Sequence, residues 1–118
     1  MHRFSIAAIA LTAVLSFVPA VAGPASIVVS ASAPTDSGIN QMKAMTVAFG
    51  DLDVATSQGA TTLFDRIDAA SRVVCGERQG KTMGWSRAKV FASCRAQTTA
   101  AAVKAVGAPQ LTQLAAAH

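Results

Sequence analysis

The chain has 118 residues, a net charge of +4, no tyrosine, and only two cysteines and two histidines. That is enough for one domain with a modest core, and alanine, which adds little buried area per residue, supplies much of the apolar content. The side-chain set lacks the parts for a Ser-His-Asp triad, a Cys-His pair or a zinc centre, so no enzyme and no cofactor is expected.

Met1-His2-Arg3 is a positive n-region, Phe4 to Val18 an almost unbroken apolar stretch, and Ala20-Val21-Ala22 a small-residue cleavage site. Together they predict a cleavable export signal over residues 1–22, cut between Ala22 and Gly23, and a periplasmic or secreted product of 96 residues. After Val18 no apolar run approaches the roughly 18 residues a bilayer span needs, so no transmembrane segment is expected in the mature chain. No cysteine sits just after the cleavage site to carry a lipid anchor. In an oxidising compartment Cys75 and Cys94 are expected to form a disulfide, whereas in a reducing cytosol they would be free thiols or half a metal site. An exchange-active pair is the other reading, but such pairs usually have Cys-x-x-Cys spacing.

Residues 23–44 are rich in Ala, Ser, Pro and Gly and read as a flexible lead-in, with Ile27-Val28-Val29 able to add a short strand. Met45 to Phe49 alternates like a strand, and its edge requires a partner, either the 27–29 segment or a second chain. Thr56 or Ser57 can cap a helix running to about Val74, with Leu63, Ile67, Ala70 and Val74 on one face and Asp65, Asp68 and Arg72 on the other. Gly76 is a stop signal. Residues 77–84 have turn composition and lead to a second helix starting between Thr82 and Ser86, on which Phe91, Cys94, Thr98, Ala101 and Ala105 share a face. Gly107 ends that helix, and Pro109 opens a short terminal helix carrying Leu111 and Leu114. The expected fold is α+β and mainly helical. One or two N-terminal strands accompany a disulfide-linked helical hairpin and a short C-terminal helix, with 45–118 as the single domain.

All six acidic residues (Asp36, Asp51, Asp53, Asp65, Asp68, Glu77) precede Arg78, and six cations follow from there: Arg78, Lys81, Arg87, Lys89, Arg95 and Lys104. Two readings stand side by side: a basic face for an anionic envelope partner such as polysaccharide or lipid phosphate, or an acidic half packing on a basic half. Export argues against nucleic acid as the partner. Asp51 and Asp53 are the candidate metal ligands. On an extended chain their i,i+2 spacing puts both carboxylates on one face, where they suit a hard cation, while the competing role is to end the strand and bond nearby amides. Asp65 and Asp68 alternate with Arg66 and Arg72 as on a solvated helix face. Trp85 is either a stacking platform or a loop anchor, and His118 lies after three alanines in a poor position for a base or ligand.

The string Val47-Ala48-Phe49-Gly50-Asp51-Leu52-Asp53-Val54 continues through Gly59-Ala60, Leu63, Arg66-Ile67, Ala69-Ala70 and Val74-Cys75-Gly76, then Cys94, Ala105-Val106 and Pro109 to Leu114. It resembles the UrcA family of small exported bacterial proteins over residues 45–114. The resemblance implies an envelope location and this order of elements, and no molecular activity. Its uranium-responsive name suggests a stress setting without implying metal binding. The function expected from the residues is partner or ligand binding without catalysis, with a hard-cation protein using Asp51 and Asp53 as the alternative. The oligomeric state is left open.

Overall fold

The computed structural model describes residues 25–35, 37–77 and 84–118. The expected export signal and its cleavage point, and most of the 77–84 segment read as a turn, lie outside the described residues. Two strands, β1 (Ser26–Pro34) and β2 (Asn40–Ala48), are followed by α1 (Ser57–Val74), α2 (Trp85–Val106) and α3 (Pro109–Ala116). The fold is α+β and mainly helical, as expected.

The strands form one antiparallel hairpin, with Ile27 opposite Val47 and Val29 opposite Met45. The segment read as a flexible lead-in is therefore part of the folded unit: β1 occupies 26–34, and Val29 and Ala33 are buried. Pro34 and Gly38 do not break the order; they shape the hairpin. Gly38 takes φ +78° in the turn, which donates its N–H to the Thr35 carbonyl, and the Thr35 N–H donates to Ile39. The Phe49 N–H donates to Ala25, so odd-numbered β1 residues bond β2 and the missing N–H of Pro34 faces the open edge. The alternation then places Ile27, Val29, Ala31, Ala33, Lys43, Met45 and Val47 on the face toward the helices. β1 is covered there, whereas on β2 only Val47 is buried.

α1 forms as its periodicity predicts. Thr56 is the N-cap, its hydroxyl accepting from Gly59 N–H, and Leu63, Ile67, Ala70 and Val74 are all buried. Gly76 follows with φ +81°. α2 begins at Trp85, inside the expected range, but its inward face is corrected. Thr98, Ala102 and Val103 are buried, while Ala101 and Ala105 are exposed. The run of identical alanines gave the periodicity nothing to discriminate. Gly107 ends α2 at φ +69°, and Pro109 opens α3, whose Leu111 closes the core against Leu63 and Ile67 as part of one apolar cluster. Among the described residues no helix is long and apolar enough to cross a membrane.

Candidate functional site

The strand-to-helix connection holds the two carboxylates that the sequence singles out. Residues 51–52 form a turn rather than an extended strand, with the Leu52 N–H donating to Phe49, so the premise of a shared ligand face fails. Asp51 accepts from both terminal nitrogens of Arg66, at 2.8 and 2.7 Å, and Arg66 also donates to the Ala48 carbonyl at 2.9 Å. The bidentate fork ties α1 to the end of β2. Hydrogen bonds from Arg66, and then from the backbone, lower the Asp51 pKa from 3.8 to about 2. The same pairing raises that of Arg66.

Asp53 does something different. Its Oδ1 accepts from the Ala55 N–H, and its carbonyl accepts from both the Thr56 N–H and hydroxyl. A Cβ at Gly59 would collide with that carbonyl, so the glycine of the motif is there for close approach. The Asp-Leu-Asp to Gly string builds the start of α1, and its two carboxylates are occupied by different partners. Among the described residues no group of three His, Cys, Asp or Glu side chains is placed to hold a metal.

The charges on α1 are not merely a solvated face. Asp68 accepts from Arg95 Nε and a terminal nitrogen, at 2.7 and 2.8 Å, and this contact joins α1 to α2 and raises the Arg95 pKa. Arg72 Nε lies 3.2 Å from Asp68 Oδ2, an i,i+4 ion pair, but makes no hydrogen bond. The Thr99 hydroxyl donates to the buried Ser71 hydroxyl along the same helix interface. His118 stacks its ring on Phe64 at 5.1 Å.

Cys75 and Cys94 are joined as a disulfide, with Cα atoms 5.8 Å apart. The Thr98 hydroxyl lies near both sulfurs. The bridge forms part of the wall of a groove of about 480 Å³ between the hairpin and the start of α2. Pro34, Thr35 and Lys43 line one side, and Val73, Arg87 and Val90 the other. Glu77 is the acidic residue among its described walls. Arg87 is engaged within the chain. Trp85, at the first residue of α2, is 81% exposed, so it does not anchor the loop on the core. The Lys89 ammonium lies 5.5 Å above its ring. The groove was not legible in the sequence, because Lys43 shares a groove with α2 only through the hairpin that folds it back.

No family model, curated protein or solved structure matches the chain.

Proposed function

We propose that this chain is an exported, non-enzymatic protein of the bacterial envelope, similar to the UrcA family and working under stress, which binds an anionic partner at its hairpin–helix end. The observation that carries this reading is the exposure of Trp85 beneath the Lys89 ammonium at the start of α2, the helix whose Arg87 and Val90 line a groove together with Lys43. An exposed aromatic ring with an ammonium group over it suits a ligand with negative charge and some apolar surface. Arg95, in contrast, is occupied by Asp68, so part of the basic half serves helix packing. The location rests on the leader and on the disulfide, which suits an oxidising compartment.

The test is a titration of the oxidised protein with polyphosphate, an acidic polysaccharide and anionic lipid vesicles, followed by the emission of Trp85, the one tryptophan in the chain. Binding to at least one of them that weakens with salt is the expected result. Silence toward all three would sink the reading.

A further inference from the structure

Cations alone do not describe the hairpin–helix end. Ile39 (69% exposed), Met42, Val73, Trp85 and Val90 (52%) stand out of the protein there. The connections bring them to one end of the molecule, on different faces of its elements. Ile39 accepts hydrogen bonds from the N–H and hydroxyl of Thr35, and Thr35 lines the groove with Arg87 and Val90. Trp85 opens the helix that carries Arg87, about half a turn round its axis from it, and Met42 precedes Lys43 on β2 and points to the opposite face of the hairpin. The hairpin turn and the first turns of α2 thus make one end of the molecule, mixed in chemistry, with aliphatic and aromatic groups among Lys43, Lys89 and Arg87 and with Glu77 against them.

The mixture discriminates between partners. A soluble polyanion is held by cations and hydrogen bonds and has no use for exposed Ile39, Met42 or Val90. A bilayer with anionic headgroups uses both sets. Aliphatic tips enter the headgroup–acyl boundary, a tryptophan ring sits at that boundary, and lysines bury their stems while keeping their charges at the phosphates. α2 itself carries cations and no acidic residue, so no carboxylate on that helix opposes the approach. We propose that the hairpin–helix end docks peripherally on an anionic lipid surface, with Ile39, Trp85 and Val90 as apolar contacts and Lys43 and Lys89 facing the headgroups. The inference deepens the anionic-partner reading and rests on it.

The experiment uses the oxidised protein as recovered after export, its mass checked for removal of the leader, since a retained leader would itself seek lipid. Vesicles of phosphatidylcholine with 30% phosphatidylglycerol are compared with pure phosphatidylcholine and with soluble acidic polysaccharide. The expected result is a blue shift of Trp85 emission and co-sedimentation with the anionic vesicles, both weakened by salt. Each cation removed should lower the partition coefficient about fivefold, so Lys43→Gln with Lys89→Gln should lower it about 25-fold. Ile39→Ser with Val90→Ser should abolish the blue shift. Lys104→Gln, roughly 28 Å along α2 from Trp85 at the helical rise, should change little. These positions are exposed, so the variants should keep the wild-type circular dichroism. No association with anionic vesicles overturns the proposal, as does association that survives both double substitutions. Binding to polysaccharide without binding to vesicles also overturns it, while leaving the anionic-partner reading in place.

Discussion

The two long helices of this protein are held in opposite ways. α1 hides seven of its 18 residues, among them Leu63, Ile67 and Val74, and is touched by both strands and by both other helices. α2 is longer, at 22 residues, yet hides only three, and the side chains it turns inward are mostly small: Cys94, Thr98, Ala102. Its N-cap, Gly84, provides no side-chain hydrogen bond. What fastens α2 is a covalent bond from Cys94 to the end of α1 and an ion pair from Arg95 to Asp68. A helix attached by a crosslink needs little apolar surface of its own, which leaves the first turns of α2 free to present Trp85, Lys89 and Val90. Stability is concentrated in one helix and presentation in the other.

The contrast breaks most readily at paired positions. Leu63→Ala on α1, where the side chain is 0% exposed, should cost about 2–5 kcal/mol, whereas Val90→Ala on α2 should stay within roughly 0.5 kcal/mol. Urea denaturation measures both. Similar losses at the two sites would mean that α2 is packed as tightly as α1 and that its exposed face is not free.

Opening the disulfide tests the other half of the comparison. A loop with a sequence separation of 19 contributes about 3 kcal/mol in the chain-entropy model, so Cys94→Ser should lower Tm by on the order of 12–24 °C in a domain of this size. The sharper readout is hydrogen exchange, because loosening should begin in the first half of α2 and leave the buried face of α1 protected. Uniform loosening would show that the bridge serves the whole fold rather than α2.

α1 was the most legible element in the sequence, and the reason is the same concentration of large side chains. Leucine, isoleucine and valine at spacings of four, three and four leave one choice of face, and Thr56 and Gly76 mark the ends. α2 was legible in existence and not in orientation, because alanines on every side carry no directional signal. β1 was read too short for a related reason. In Ser30-Ala31-Ser32-Ala33 the inward positions are alanines, which look like linker until a helix is seen lying on them. The paired cysteines were correctly joined. The long-range partners of charges were not legible at all. Nothing in the spacing says that Arg66 reaches back 15 residues to Asp51, or that Asp68 prefers Arg95 on another helix.

Gly59→Ala separates local strain from core packing within α1. The added methyl would meet the Asp53 carbonyl, and since backbone has to move, the cost should lie at the upper end of roughly 1–3 kcal/mol despite alanine's better helix propensity. An unchanged or raised urea midpoint would show that the connection between β2 and α1 yields freely and that the Asp-Leu-Asp to Gly string has some other purpose.

The smallest effects belong to Asp51, and they decide between its structural role and the hard-cation alternative. Its folded pKa of about 2 lies below the ordinary 3.8, so the ionised form is favoured by folding. The clamp's contribution is present above about pH 3.8 and fades as pH falls toward 2. Asp51→Asn should therefore lower the urea midpoint slightly at pH 7, the groups being well exposed, and the gap to wild type should close by pH 2. Added Ca²⁺ has to compete with Arg66 for both oxygens of Asp51, while Asp53 Oδ1 is held by the Ala55 N–H, so millimolar Ca²⁺ should leave Tm unmoved in wild type and in Asp51→Asn/Asp53→Asn alike. A bound cation at 100 times its Kd would stabilise by about 2.7 kcal/mol, a rise of roughly 10–20 °C. A rise of that size, lost in the double variant, would mean that the cation displaces the arginine, and the connection between β2 and α1 would then be a metal site held closed by Arg66.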